Sequence, residues 1–251
     1  MLEKLKRKNA HFRSIEINGI RFLFDISDFT AESLYFLNRK YEPQTTDRLL
    51  TCLEQGGVFI DVGANCGYFT ILAGLRVGPH GKVYAFEPNP PVRAQLIHHV
   101  ALNHLQGIVQ IDHRALSDSE GSADFWVPQF PIQSGLASLS RKSIEGWEGT
   151  RVGSITAAAD KITVPTIPFD LWIRQQKLTK IDLMKIDVEG AEHCVLAGMQ
   201  RTLKQLPPRG IICETTPDSP TDQLLRQLGY SVEPLEHASA RWSNFFYARG
   251  R

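Results

Sequence analysis

The chain has 251 residues, 42% of them hydrophobic and 22% charged, which is the composition of a globular protein that can bury a sizeable core. Its formal net charge of +1 excludes an overall electrostatic field that would recruit nucleic acid or an anionic membrane. The four cysteines are scattered and form no CxxC motif, and no stretch has the length and apolarity of a signal peptide or a membrane span. We therefore expect a single cytoplasmic domain over residues 1–251 without structural zinc or disulfides.

Residues 1–55 are predicted to form an N-terminal hairpin followed by a helical extension. The dipeptide Asn18-Gly19 lies between two arms of alternating apolar residues, which is the strongest short signal for a β-hairpin. One helical stretch is expected from about Thr30, and a second carries a stripe of leucines that ends before the glycine pair at 56–57.

Strands and helices alternate through the rest of the chain. The apolar runs are too continuous for a sheet with one solvated face, so we predict an α/β fold with a mostly parallel, doubly wound sheet and helices on both faces. A helix is expected to start at Pro90 with Asn89 as its N-cap, and a single helix is expected over 190–206. The predicted strands are 58–62, 82–87, 107–116, 181–187, 210–214, 230–235 and 243–249.

Residues 117–180 interrupt this alternation. Two further strands are predicted there, "EGSADFWVP" (120–128) and "ITVPTIP" (162–168), on either side of a segment rich in serine and glycine. We interpret the segment as an insertion at the carboxyl end of the third strand. Loops at that edge of an open α/β sheet build ligand sites.

The stretch "FIDVGANCGYFT" (59–70) joins a strand to a helix through a glycine turn. A P-loop is excluded because no lysine follows at the required place. A dinucleotide fingerprint is disfavoured, though not excluded, because Asn65 and Tyr68 stand where glycines are needed. Asp61, Gly63 and Gly67 together suit a ligand that carries an ammonium group and no pyrophosphate, and S-adenosylmethionine is such a ligand.

Glu87 supports the same interpretation. It ends the next predicted strand, and a carboxylate at this place accepts hydrogen bonds from both hydroxyls of a ribose. Considered alone, Glu87 is also compatible with an ordinary exposed acid at the end of a strand. Its spacing from the glycine turn favours the role in ligand binding.

Several motifs, in this order, resemble the FkbM family of S-adenosylmethionine-dependent methyltransferases: "KYEPQTTDRLL", "FIDVGANCGYFT", "FEPNP", "SGLASLS", "IDLMKIDVEGAEHCVLAGM" and "IICETT". The resemblance runs from about Tyr41 to the C-terminal "NFFYAR". It implies a Rossmann-like class I methyltransferase fold with seven strands. It also implies S-adenosylmethionine as cofactor and O-methylation of a hydroxyl on a small molecule, sugar or natural product.

Other functions stay open at this point. Some relatives of similar motif methylate amide nitrogens of peptides, so N-methylation is an alternative. A nicotinamide-dependent reductase and a non-catalytic cofactor-binding protein are alternatives of another class, because a fold does not determine a function. The expected partner is a small-molecule or peptide acceptor, with neither nucleic acid nor a membrane, and a homodimer is an arrangement that the sequence allows.

The resemblance and the motif positions together give a predicted cofactor site. Ala115 and Leu116 are expected at the adenine, Ser138 beside the cofactor or acceptor, and Glu42 near the methionine end. An ordinary loop serine and a helix-capping glutamate are the simpler interpretations of the last two. The predicted cofactor-binding residues are Glu42, Asp61, Gly63, Asn65, Gly67, Glu87, Asn89, Ala115, Leu116, Ser138 and Asp187.

Asp187, Glu189 and Glu214 are the candidate catalytic residues. Each follows or ends a predicted strand at the ligand edge of the sheet, where a carboxylate can serve as a base or hold the acceptor. Alternatively, Asp187 or Glu189 caps the next helix with Lys185 neutralising it, and Glu214 pairs with Arg209 or Arg241. The three acids could also hold Mg²⁺, but nothing in their spacing demands a metal and none is predicted.

Overall fold

The computed structural model describes residues 12–17, 19–25, 41–128, 137–140, 159–235 and 243–250. The helix expected from Thr30 and the arginine at 241 lie outside these ranges. The described strands are β1 (Phe12–Ile17), β2 (Ile20–Asp25), β3 (Val58–Val62), β4 (Lys82–Phe86), β5 (Val109–Asp112), β6 (Ala115–Leu116), β7 (Gly121–Pro128), β8 (Ala159–Ile167), β9 (Leu183–Ile186), β10 (Gly210–Thr215), β11 (Tyr230–Pro234) and β12 (Ser243–Arg249).

The helices lie between these strands along the chain. They are α1 (Pro43–Cys52), α2 (Tyr68–Val77), α3 (Pro90–Leu102), α4 (Phe169–Gln176), α5 (Glu192–Ala197), α6 (Gln200–Gln205) and α7 (Pro220–Gln227). Among the described residues, none of the helices combines the length and the apolarity that a membrane crossing needs.

The central sheet has seven strands in the order β11-β12-β10-β9-β3-β4-β5. The five strands that neighbour one another as β10, β9, β3, β4 and β5 run parallel. The strand β12 is antiparallel to both of its neighbours. The predicted seven-stranded, mostly parallel sheet is therefore confirmed. The order reverses at β3 and β9, and ligands of open α/β sheets bind at such a switch point, outside the carboxyl ends of the strands.

Both faces of the central sheet are buried, which explains the continuous apolar strands. Phe59 and Leu183 project to one face and join a core cluster with α1, α2 and α3. Ile60 and Met184 project to the opposite face and join a cluster with α4 to α7. Every residue of β3 is buried, so its one charged residue, Asp61, needs a polar partner inside the protein.

The helix predicted over 190–206 is wrong as a single element, because the chain forms α5 and α6 with a break at Gly198 and Met199. A Cβ on Gly198 would lie 2.0 Å from the Ser117 carbonyl oxygen, so the helix passes another segment too closely for a side chain. The carboxylate of Asp170 accepts hydrogen bonds from the N–H groups of Arg201 and Thr202, each at 2.7 Å, and so satisfies the start of α6.

The N-terminal hairpin is confirmed, with β1 and β2 antiparallel around Gly19 at φ +79°. It docks on α3 through two polar side chains. The Asn103 Oδ1 accepts from the Arg21 N–H at 2.9 Å, and the His99 Nε2 accepts from the Leu23 N–H at 3.1 Å. His99 Nδ1 lies 2.7 Å from the carbonyl oxygen of Cys66, so one imidazole joins the hairpin to the glycine turn.

The two strands predicted within 117–180 correspond to β7 and β8, which pair antiparallel and form a separate sheet with β6. The helix α4 follows them and was not predicted. Its Trp172 is 1% exposed and packs edge-on against Tyr84 and Phe86 of β4. Residues 169–176 therefore form the crossover helix before β9.

Candidate active site

A cavity opens at the carboxyl ends of β3, β4 and β9. The glycine turn forms one wall, the loop after β9 forms another, and residues from β6 and β7 close a third side. This is the edge at which the fold places ligands. The lining residues are Tyr41, Val62, Gly63, Ala64, Asn65, Cys66, Tyr68, Phe69, Phe86, Glu87, Pro88, Ala115, Leu116, Phe125, Ala137, Leu139, Lys185, Asp187, Val188 and Glu189.

The glycine turn takes backbone conformations that explain its sequence. Gly63 and Gly67 have φ of +81° and +96°, and Asn65, a residue type that tolerates this region, has φ of +50°. A Cβ on Gly63 would lie 1.9 Å from the carbonyl oxygen of Asp187. Gly63 is therefore needed both for the turn and for the close contact with the loop after β9.

Glu87 is 6% exposed and stands at the centre of this edge. The N–H groups of Asn65 and Asn89 donate to its two carboxylate oxygens at 2.8 and 2.9 Å. Burial raises the pKa of Glu87 to about 7, although these two hydrogen bonds act in the opposite direction. The carboxylate thus ties the glycine turn to the start of α3 while facing the cavity.

Three acids meet where β9 and β10 end. Ligand oxygens of Asp187, Glu189 and Glu214 all lie within 4.8 Å of one another, and we call these residues the acid cluster. Burial, with the charges of Asp187, Glu189 and Glu192, raises the pKa of Glu214 to about 10. Burial and the Asp187 charge likewise hold the pKa of Glu189 well above its usual range.

The loop that carries two of these acids is fixed by its own backbone. Glu189 and Gly190 have φ of +55° and +92°, and the carboxylate of Glu192 accepts from the N–H groups of Val188 and Gly190 at 3.2 and 3.1 Å. Ala191 is the N-cap of α5, and no side chain caps that helix. The alternative that Asp187 or Glu189 caps the helix is therefore wrong.

Lys185 is a buried cation beside the acid cluster. Its side chain is 3% exposed, and its Nζ lies 2.5 Å from Oδ2 of Asp187 and 4.8 Å from the centre of the Phe69 ring. Burial alone would lower the pKa of this ammonium, but the charges of Asp187, Glu42 and Asp61 raise it further than burial lowers it. Lys185 therefore stays charged and neutralises one carboxylate of the site.

Glu42 and Asn244 contact each other beside the site, and neither is among the residues that line the cavity. The Nδ2 group of Asn244 donates to Oε2 of Glu42 at 2.8 Å. Glu42 raises the pKa of the buried Tyr41 hydroxyl and that of Lys185, so its carboxylate acts electrostatically on the same centre. Glu42 makes no side-chain hydrogen bond that caps α1, which removes the simpler interpretation as a helix cap.

The comparisons with known proteins agree with this geometry. Residues 61–232 match the family model described as a methyltransferase FkbM domain. The chain belongs to the FkbM methyltransferase family. The methyltransferase sdnD of Sordaria araneosa is 30% identical over 198 residues, which cover 72% of this chain and 76% of that protein.

A second relative is FkbM of Streptomyces tacrolimicus, the 31-O-demethyl-FK506 methyltransferase. It is 30% identical over 162 residues, which cover 59% of this chain and 61% of that protein. A crystal structure of a protein assigned as an rRNA-methylase from Clostridium thermocellum has a TM-score of 0.50 at 9% identity, over 84% of this chain and 98% of that chain. This last likeness shows the Rossmann-like methyltransferase fold alone.

Most of the predicted site residues of this FkbM-family chain do meet at one place. Asp187 and Glu189 line the cavity from β9, and Glu214 joins them from the end of the neighbouring strand. Glu214 does not pair with Arg209, whose guanidinium lies 3.2 Å from Asp182. The predicted cofactor residues that line the cavity are Gly63, Asn65, Glu87, Ala115, Leu116 and Asp187.

Four other predicted residues lie behind the cavity wall. Asp61 is 1% exposed and accepts from the Thr70 hydroxyl at 2.6 Å, so its carboxylate serves the interior of the sheet. The Ser138 hydroxyl donates to the carbonyl oxygen of Glu189 at 2.7 Å and holds that loop from outside. Gly67 and Asn89 shape the starts of α2 and α3.

The aromatic part of the site was not predicted. Tyr41, Tyr68 and Phe69 line the cavity and contact one another, with ring centres 5.1 to 6.0 Å apart. The sequence places Tyr68 and Phe69 directly after the glycine turn, so their position at the start of a helix facing the ligand edge was the available signal. Tyr41 lies in the "KYEP" motif next to Glu42, so the signal for this segment was the motif itself, although only Glu42 was predicted from it.

Proposed function

We propose that this protein is an S-adenosylmethionine-dependent methyltransferase that methylates a hydroxyl oxygen on a small molecule, sugar or natural product. Family membership supports methyl transfer, and the family decides against the alternative of a nicotinamide-dependent reductase. The observation that best supports this cofactor is the environment of Glu87. Each of its oxygens accepts one backbone N–H and retains a lone pair, so a ribose can donate its two hydroxyls to one fixed carboxylate.

The residues around Glu87 fit the rest of this cofactor. Ala115 and Leu116 are buried and apolar, as an adenine ring requires, and they line the same cavity as Glu87. The glycine turn has no lysine, and Asn65 stands where a pyrophosphate site needs its second glycine.

When bound, S-adenosylmethionine supplies a methyl carbon that its sulfonium has already activated. The protein must then align the acceptor, exclude water and remove the hydroxyl proton. Alignment of reacting groups can contribute on the order of 7–11 kcal/mol in favourable intramolecular models. The aromatic rings of Tyr41, Tyr68 and Phe69 line the cavity and, with both ligands bound, would help to exclude water from it.

The acid cluster would handle the proton. Glu214, with a pKa of about 10, is protonated at neutral pH and in that state donates a hydrogen bond to an acceptor oxygen. Asp187 lines the cavity and forms an ion pair with the charged Lys185, whose Nζ lies 2.5 Å from its Oδ2, so Asp187 offers a carboxylate at the cavity wall that can take the proton. We assign Asp187 as base, with Glu189 and Glu214 holding the acceptor.

The test is transfer of a labelled methyl group from S-adenosylmethionine to a panel of hydroxyl and amine acceptors. We expect label on an oxygen in the wild type and no transfer by Glu87→Ala, which cannot bind the ribose. Product on nitrogen alone would overturn the O-methylation part of the proposal. Cofactor binding without transfer to any acceptor would favour a non-catalytic cofactor-binding protein.

The nature of the acceptor and the assembly remain proposals. A small-molecule or peptide acceptor fits an enclosed cavity lined by aromatic and acidic side chains. The homodimer that the sequence allows is tested by light scattering of the purified chain, where a mass near 28.2 kDa would show a monomer.

A further inference from the structure

The acid cluster and Glu42 bring together more carboxyl groups than the described residues supply cations for. Asp187, Glu189 and Glu214 lie within 4.8 Å of one another, and Glu42 adds a fourth carboxylate close by. Lys185 pairs with one of these four carboxyl groups. Carboxyl groups this close cannot all be ionised unless a cation lies between them.

A second group points to the same place. Asn244 of β12 stands directly opposite Glu214 of β10 in the antiparallel register, so their side chains lie next to each other on one face of the sheet. Asn244 is 6% exposed and uses its Nδ2 group on Glu42. Its Oδ1 atom is buried and has no hydrogen-bond partner among the described residues. A buried amide oxygen without a partner costs free energy, so it indicates a missing electropositive group.

The donor set identifies the class of cation. All four atoms are oxygens, three from carboxylates and one from an amide, and the cluster contains neither histidine nor cysteine. Hard divalent cations prefer oxygen ligands, whereas zinc sites use sulfur and nitrogen. Opposite ligands of an octahedral Mg²⁺ lie about 4.2 Å apart, so the three carboxylates, whose oxygens lie within 4.8 Å of one another, close onto such an ion with small side-chain rotations.

We propose that Asp187, Glu189, Glu214 and Oδ1 of Asn244 form a binding site for Mg²⁺ or Mn²⁺. Lys185 engages Oδ2 of Asp187 and leaves the other oxygen of that carboxylate for the ion. Asp187 and Glu189 line the cavity, so the site is open toward it on one side.

The open side suggests which acceptors the enzyme takes, and this step rests on the proposed function. An acceptor with two neighbouring oxygens, such as a hydroxyl beside a second hydroxyl or a carbonyl, can complete the coordination of a divalent cation. A hydroxyl held in this way loses its proton more easily. The site therefore favours vicinal diols and α-hydroxy carbonyl compounds over isolated alcohols.

The test titrates Mn²⁺ into the full chain without cofactor or acceptor and follows the free ion by electron paramagnetic resonance. We expect one equivalent to bind to the wild type. Glu214→Gln and Asp187→Asn should each weaken binding by roughly tenfold or more, because ligand charge sets the affinity of such sites. Asn244→Ala should weaken it less. The control Asp124→Asn removes an exposed carboxylate that pairs with Lys161 and should bind as the wild type does.

Two results would overturn the inference: no saturable Mn²⁺ binding by the wild type, or equal binding by Glu214→Gln and Asp124→Asn. Circular dichroism shows whether each variant is folded, and Glu214→Gln keeps the Lys185–Asp187 pair intact if Asp187→Asn fails to fold. Calorimetry with S-adenosylmethionine is run separately. If the chain binds Mn²⁺ but not S-adenosylmethionine, the proposed function is contradicted and the metal site is not. If it binds S-adenosylmethionine but not Mn²⁺, the metal site is contradicted and the proposed function is not.

Discussion

At the scale of single residues, Glu87 gives cofactor binding a pH dependence. Its carboxylate must be ionised to accept two ribose hydroxyls, and burial places its pKa at about 7. Affinity for S-adenosylmethionine should therefore be full at about pH 8 and fall roughly tenfold for each pH unit below about 7, since each unit removes that share of the ionised form. Calorimetry across this range measures the effect.

The control for this prediction is Glu87→Gln, which cannot ionise. It should bind weakly at every pH, with no change in affinity between about pH 6 and about pH 8. A wild-type affinity that stays constant across the same range would show that Glu87 is not the ribose ligand.

Substitution of Asp187 should affect turnover and not cofactor binding. Asp187→Asn keeps the shape of the side chain but cannot accept a proton, so turnover should fall by about 10²–10⁴-fold, the usual contribution of a positioned base. The dissociation constant of S-adenosylmethionine should change little, because Glu87 and the glycine turn are untouched. Single-turnover rates and calorimetry measure the two quantities, and unchanged turnover would remove Asp187 as an essential residue.

At the scale of structural elements, the glycine turn and the loop after β9 depend on each other. Gly63→Ala puts a Cβ 1.9 Å from the Asp187 carbonyl oxygen at a residue with φ of +81°. We expect the free energy of unfolding to fall by about 1–3 kcal/mol because of backbone strain and by a similar amount because of overpacking. Cofactor binding should be lost as well.

Thermal unfolding checks that result against Gly107→Ala. A Cβ on Gly107 meets nothing within 4 Å, so this control should unfold near the wild-type temperature. If Gly63→Ala were as stable as Gly107→Ala and bound the cofactor normally, the close contact between the glycine turn and the loop after β9 would not be needed for stability or for cofactor binding.

The N-terminal hairpin is held to the sheet by a small number of polar contacts. Asn103 exchanges two hydrogen bonds with the backbone of Arg21, at 2.9 and 2.7 Å. Asn103→Ala should lower the protection of β2 amides in hydrogen exchange by about 1–3 kcal/mol while the central sheet stays protected. Gln95→Ala on the same helix is the control, and equal loss of protection in both variants would contradict the role of Asn103.

At the scale of the whole molecule, the sheet could be predicted because β3, β4, β9 and β10 are mostly apolar and almost entirely buried. The glycine turn and Glu87 could be placed because they follow strands directly. The break at Gly198 could not, since the backbone there packs closely against the carbonyl oxygen of Ser117, which is distant in sequence. The inward position of Asp61 likewise depends on Thr70, which pairs with it only once the fold has formed.

The central claim is that the glycine turn with Glu87 binds S-adenosylmethionine and not a dinucleotide. Calorimetry of the wild-type chain with S-adenosylmethionine and, separately, with NADH tests it directly. We expect one molecule of S-adenosylmethionine to bind per chain and no heat of binding with NADH, because Asn65 and Tyr68 stand where a pyrophosphate site needs glycine. Binding of NADH without binding of S-adenosylmethionine would contradict the account.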